Sequence, residues 1–215
     1  MSNIVITAAK RSPIGKFLGS LSSLSAPELG KLCIESVIED SKIPKNFVDE
    51  IIMGQVLTGG SGQNPARQSS FLAGIPEDKS ALTINQVCGS GLRAISIGAQ
   101  SIMSGQSQIV VAGGQESMSN AHHTSNLRNG LKMGDGKLKD SMIIDGLWCA
   151  MNNYHMGVTA ENVAERYAIS KKDQDEFATR SQNKAEEAQK NGKFTDEIVN
   201  VTVKTRKDFI EIKDD

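Results

Sequence analysis

Ala81-Leu82-Thr83-Ile84-Asn85-Gln86-Val87-Cys88-Gly89-Ser90-Gly91-Leu92-Arg93-Ala94-Ile95 is the stretch whose reading decides the fold. Leu82 to Val87 is short, apolar-rich and β-branched, the pattern of a largely buried strand. Leu92, Ile95, Ala99, Ile102 and Met103 then recur at helical spacing, so the chain changes element at Cys88-Gly89. A thiol at that point meets the free N–H groups and the positive dipole end of a helix, which favour thiolate over thiol. The same N–H groups suit an oxyanion, and Gly89 and Gly91 leave room for a carbonyl to approach the sulfur. The residues alone leave two readings open for Cys88: a nucleophile, or a small buried apolar side chain of the kind free cysteines often are.

Working outward, residues 3–9 read as a first strand, followed by the Ser12-Pro13-Ile14-Gly15 turn and a Gly/Ser-rich loop. Ser25 and Glu28 form a capping box, with Pro27 tolerated in the first turn, and Leu29, Leu32, Cys33, Val37 and Ile38 mark the buried stripe of a helix to about Ser41. Cys33 on that stripe reads as core. Glu50 to Leu57 is a second strand, and Asn64-Pro65 caps a helix that runs through Leu72 and stops at Gly74. After the Cys88 helix, Gln108 to Gly113 is apolar throughout, as a parallel strand covered on both faces should be. Four strands alternating with three helices predict an α/β fold, a layered βαβ sheet.

The pattern changes after Ser119. Asn120 to Met142 is polar and basic, in keeping with a solvated loop. Val158 to Tyr167 is helical, Ser170 and Asp173 cap another helix through Gln189, and Ile198 to Val203 alternates like a strand before a charged tail. Cys149, in Gly146-Leu147-Trp148-Cys149-Ala150, reads as a packing or incidental residue. His155 on its own reads as a structural histidine.

The 215 residues carry a formal net charge of -1, which gives no electrostatic case for nucleic acid or an anionic membrane. No apolar run approaches the ~20 residues of a membrane span, and the strand-like Ile4-Val5-Ile6-Thr7 leaves no room for a targeting peptide. Three cysteines without a CxxC pair argue against disulfides or zinc and for a reducing, cytoplasmic compartment. No metal site is expected from the adjacent His122-His123 pair with a distant His155.

Four segments, in order and in register, carry a family resemblance. They are Arg11-Ser12-Pro13-Ile14-Gly15-Lys16-Phe17, Asn85 to Ile95, Gly113-Gly114-Gln115-Glu116-Ser117-Met118-Ser119, and Tyr154-His155-Met156-Gly157-Val158-Thr159-Ala160-Glu161-Asn162. With them the chain resembles the thiolases, nearest the short-chain biosynthetic group, the acetyl-CoA acetyltransferases. The resemblance implies that residues 1–119 are the N-terminal thiolase half bearing the nucleophile, and that 120–215 are part of an α+β loop domain for CoA binding and oligomerisation. It makes Cys88 the acyl-carrying nucleophile and puts Leu147, His155 and Met156 around the pantetheine and acyl pocket. The substrates would be acetyl-CoA and acetoacetyl-CoA, with coenzyme A carried by the substrate and no separate cofactor. A homodimer or homotetramer is implied for the complete protein. The family's C-terminal half, with its Asn-Glu-Ala-Phe, Gly-His-Pro and Cys-x-Gly segments, has no counterpart in these residues. The expectation is therefore a shortened N-terminal portion, inactive alone. A non-catalytic piece, one part of a split thiolase, and a 3-ketoacyl-CoA thiolase of broader chain length remain alternatives.

Overall fold

Glu50–Gly54 (β1) is the strand around which the rest is layered, because its side chains alternate between two helical faces. The computed structural model describes residues 3–215. β1 pairs in parallel with Ser80–Ile84 (β2) on one side and Val110–Gly114 (β3) on the other, giving the order β2-β1-β3. Ala26–Ser41 (α1), Pro65–Leu72 (α2) and Ser90–Met103 (α3) are the crossover helices.

Period-two alternation assigns the faces. Ile51 and Met53 join Ile34 and Ile38 of α1, Ala66 and Ala73 of the α2 segment, and Val48 and Ile75 in one buried cluster. Glu50, Ile52 and Gly54 point the other way, toward α3. There Ser101 donates to Glu50 at 3.0 Å, and a methyl group placed on Gly54 would come within 2.5 Å of Ser90 Cβ. The start of α1 is as expected: Ser25 and Glu28 form the reciprocal capping box. Asn64 caps α2 by accepting from the Arg67 N–H, with Pro65 in the first turn.

Several expectations are corrected. Residues 3–9 form no strand: Val5 and Ile6 are exposed, and the segment joins no ladder among the described residues. Just beyond it, Arg11 makes an isolated bridge to Ile198. A β-rich composition cannot make a strand without a partner for its backbone groups. The sheet therefore has three strands rather than four. β2 is an edge strand with Leu82 exposed, not a buried one, and β3 is half-buried rather than fully covered. The apolar stripe read for α3 faces outward. The buried positions are Ser90, Ala94, Gly98 and Ser101, while Leu92, Ile95 and Met103 are exposed. Small residues win that contact because they let the helix lie close to β3: a methyl group on Gly98 would meet Val110 Cγ1 at 3.0 Å.

Beyond residue 120 the first elements are two-residue strands. His123–Thr124 (β4) pairs with Lys139–Asp140 (β5) within the basic stretch, and Trp148–Cys149 (β6) pairs with Tyr154–His155 (β7). Met156–Arg166 (α4) and Lys171–Lys190 (α5) follow, the latter opened by the Ser170/Asp173 capping box, and neither helix has a buried residue. Val201–Lys204 (β8) and Phe209–Ile212 (β9) form a hairpin, so the charged tail contains a strand. Val201 and Val203 pack with Leu21, and around them lie Leu24, Leu29 and Leu32. Arg11 fastens this hairpin to the N-terminal segment by bonding Glu197 and Asp215, each at 2.6 Å, and by lying over the Phe194 ring. No described helix is long and apolar enough to cross a membrane.

Candidate functional site

The Cys88 turn lies at the carboxyl end of the parallel sheet, where ligand sites of open α/β sheets gather. β1 and β2 stay joined as far as the bond from Gln55 N–H to the Ile84 carbonyl at 3.0 Å. Beyond that point the chain reverses within five residues. Asn85 Oδ1 accepts the Val87 N–H at 2.8 Å. Ser90 Oγ accepts the Gln86 N–H at 2.8 Å and donates to the Val87 carbonyl at 2.6 Å. Val87 itself sits at φ 49°, a left-handed conformation that is a true outlier for a β-branched residue. Holding it there costs on the order of 1–3 kcal/mol, so the turn is held from both sides.

That reversal presents Cys88 to solvent immediately before the N-cap Gly89 of α3. Cys88 is not the buried apolar residue of the alternative reading. Two of the N–H groups expected to converge on it are already engaged, Gly89 with the Gln86 carbonyl and Ser90 with that of Val87. The Cys88 N–H donates no hydrogen bond among the described residues. Three glycines make the arrangement possible. A methyl group on Gly54 would lie 2.8 Å from Gly91 N, and one on Gly114 would lie 3.3 Å from Gly91 Cα. The ends of β1 and β3 therefore touch the first turn of α3 backbone to backbone.

A polar cleft of ≈ 290 Å³ is lined by residues that include Pro27, Gln55, Leu57, Gln68, Glu116 and His122. Its floor is a buried amide network. Ser69 Oγ donates to Gln115 Oε1 at 2.5 Å, Gln115 Nε2 to Gln55 Oε1 at 3.0 Å, and Gln55 Nε2 to the Leu57 carbonyl at 3.0 Å. Glu116 accepts the Val56 N–H at 2.8 Å and the Leu57 N–H at 3.3 Å. Burial raises the Glu116 carboxyl above its ordinary range, and those two N–H groups oppose the rise. Sequence reasoning gave no role to Asn85, Gln115 or Glu116. The available signal was the Gly113-Gly114-Gln115-Glu116 run, where glycine at a strand end marks a close backbone approach.

Leu147, His155 and Met156 lie in or next to the β6–β7 hairpin. Trp148 pairs with His155 across the β6–β7 hairpin, and continuing that antiparallel register sets Leu147 opposite Met156. The hairpin follows a π-helical turn, Met142–Leu147, whose Gly146 lies against Leu57: a methyl group there would be 3.7 Å from Leu57 Cδ2. His155 is exposed and caps α4, its Nδ1 accepting the Gly157 N–H at 3.0 Å. No hydrogen bond joins these three residues to the Cys88 turn among the described residues.

The other two thiols differ from each other. Burial pushes the Cys33 thiol up, as a core reading requires, though the residue is only half-buried on α1. Cys149 is half-buried. It sits in the β6–β7 hairpin, where N–H groups of Asn152, backbone and side chain, and of Met151 hold its thiol below the ordinary value. No group of three or more His, Cys, Asp or Glu positioned to hold a metal occurs among the described residues.

An exposed thiol on a strained strand–turn–helix reversal, with a free N–H beside it, is an arrangement for acyl transfer. The thiolase N-terminal domain family matches residues 4–215, and the chain belongs to that family. It is 56% identical to the acetyl-CoA acetyltransferase of Cupriavidus necator over 208 residues, 96% of this chain and 53% of that protein. The acetyl-CoA acetyltransferase of Paracoccus denitrificans is 56% identical over 207 residues, with the same two shares. The probable acetyl-CoA acetyltransferase of Escherichia coli is 52% identical over 202 residues, 94% of this chain and 51% of that protein. The chain spans about half the length of the curated relatives it matches.

Proposed function

We propose that this chain supplies the acyl-accepting part of an acetyl-CoA C-acetyltransferase. The observation that carries the reading is Cys88, exposed on the Val87 reversal at the start of α3. In the first step its thiolate attacks the acetyl carbonyl of acetyl-CoA, the Cys88 N–H stabilises the oxyanion, and CoA leaves as the thiolate. In the second step a base removes a methyl proton from another acetyl-CoA. The resulting carbanion attacks acetyl-Cys88 to form acetoacetyl-CoA, and Cys88 is released as the thiolate. The proton removed by the base balances the CoA thiolate. CoA is part of the substrate, and no separate cofactor enters.

Leu147, His155 and Met156 are proposed to contact the pantetheine arm and the acyl group. Residues 120–215 are proposed to act as the loop domain for CoA binding and for assembly into a homodimer or homotetramer, with 1–119 carrying the nucleophile. A free nucleophilic thiol suits a reducing cytoplasm.

The base that activates Cys88 and the proton shuttle of the second step are assigned to the Gly-His-Pro and Cys-x-Gly segments, which these 215 residues do not contain. Such groups act as a unit, so the chain alone should turn over far below a complete thiolase. Cleavage of acetoacetyl-CoA by added CoA, compared with longer 3-ketoacyl-CoAs and with Cys88→Ala, tests the proposal. Residual Cys88-dependent activity confined to the short substrate supports it. Robust turnover by the wild-type chain would require a base within these residues and would overturn it.

A further inference from the structure

The Val87 conformation has to be held from outside the turn, and the hydrogen bonds trace where the hold comes from. Ser90 supplies it from the helix side. On the strand side Asn85 is bonded in two directions: its Oδ1 accepts the Val87 N–H at 2.8 Å, and its Nδ2 donates to the Val56 carbonyl at 3.4 Å. The Val56 peptide is itself fixed on its other side, because Glu116 accepts the N–H groups of Val56 and Leu57 with separate oxygens. The connection runs from β3's extension, through β1's, to β2's, and ends one residue before the thiol.

We infer that Glu116 and Asn85 are positioning residues for Cys88: the Glu116 carboxylate clamps the 56–57 backbone, Asn85 transmits that clamp, and Val87 is kept in its left-handed state. The inference rests on the proposed role of Cys88 as the acyl acceptor, but neither residue touches the thiol or a substrate. A carboxylate is required because two N–H groups are accepted at once. A glutamine offers one acceptor oxygen and turns an NH₂ group toward the remaining N–H. Without the clamp the Val56 carbonyl keeps the Thr58 N–H at 3.2 Å but loses its anchor on the Glu116 side, so the acceptor of Asn85 is less firmly fixed. Val87 is then free to relax to negative φ, carrying Cys88 away from the start of α3.

The test uses the full 215-residue chain and iodoacetamide, which reports on the thiol without needing CoA, with Cys149 in the same sample as the internal reference. Glu116→Gln and Asn85→Ala should each lower the Cys88 to Cys149 alkylation ratio about tenfold, the scale of loss expected when a reacting atom is misplaced from its held position. In a Val87→Gly background, where positive φ carries no penalty, the Glu116→Gln effect should shrink to less than about twofold. A merely structural role would change the unfolding midpoint and expose all three cysteines without this rescue. The inference is overturned if both single variants keep the ratio within about twofold of wild type, or if the full loss persists with Val87→Gly. Should Glu116→Gln not fold, Asn85→Ala at its exposed site, alone and with Val87→Gly, decides by the same criteria. Failure of the acyl-acceptor reading looks different: wild type would take no acetyl group from acetyl-CoA while the alkylation ratios still shift.

Discussion

The two faces of the three-stranded sheet are covered in opposite ways. On one, α1 and α2 bring Ile34, Ile38, Ala66 and Ala73 against Ile51 and Met53, and the contact is apolar and deep. On the other, α3 approaches through Ser90, Ala94, Gly98 and Ser101, with Glu50 bonded by Ser101 and Ser107, and turns Leu92, 76% exposed, away from the sheet. One face gains stability from buried area; the other uses small residues to gain nearness. Nearness is what the site needs, because only a helix start touching the ends of β1 and β3 can hold the Cys88 turn at the sheet's edge.

This contrast can be broken from either side. Ile34→Ala, at a residue that is 1% exposed, should cost about 2–5 kcal/mol in chemical denaturation while leaving the Cys88 to Cys149 alkylation ratio of the folded protein unchanged. Gly98→Leu overpacks the other face against Val110 and should cost about 1–3 kcal/mol. Because α3 must then lift off the sheet, the Cys88 ratio should fall as well, and alkylation of the folded variant checks this. An effect on stability alone would remove the link between close approach and the site.

A smaller effect separates the two ends of β1. At the amino end, Asp49 accepts the N–H groups of Gln108 at 2.7 Å and Ile109 at 3.1 Å, which holds its carboxyl below the ordinary value. At the carboxyl end, burial holds Glu116 above its ordinary value. The signs are opposite. The Asp49 contribution is present above the unfolded value of ~3.9 and is lost as pH falls through its depressed native value. The Glu116 contribution is greatest below the unfolded value of ~4.3 and declines as pH rises to its raised native value. Asp49→Asn should therefore flatten the acid limb of a stability–pH curve, and Glu116→Gln should flatten the decline above it. Smallest of all, Leu92→Gln on the outward side of α3 should stay within ~0.5 kcal/mol in the isolated chain, measured by the same denaturation.

The elements set by local chemistry were readable in the sequence. The Ser25–Glu28 and Ser170–Asp173 capping boxes, Asn64-Pro65, and the strand–thiol–glycine switch at Cys88 all act within four residues. What depended on partners was not. Residues 3–9 have strand composition but no strand to pair with, and α3's periodicity does not say which of two faces meets the sheet. For the site, Cys88 stood out by its setting and Leu147, His155 and Met156 by resemblance. Glu116 and Asn85 could not be read, because their part is a chain of bonds across three strand ends that lie about 30 residues apart in sequence, a spacing set by the βαβ topology.

The central claim is that the Val87 reversal makes Cys88 the residue that takes the acyl group. Incubating the chain with acetyl-CoA, quenching in acid and mapping acetylated peptides by mass spectrometry tests it directly, with Cys88→Ala and Cys149→Ala in parallel. The account predicts a single thioester-linked acetyl group on Cys88, absent from Cys88→Ala and retained in Cys149→Ala. Acetylation of Cys149 or Cys33 in preference, or a folded wild-type chain that takes no acetyl group at Cys88, would contradict it.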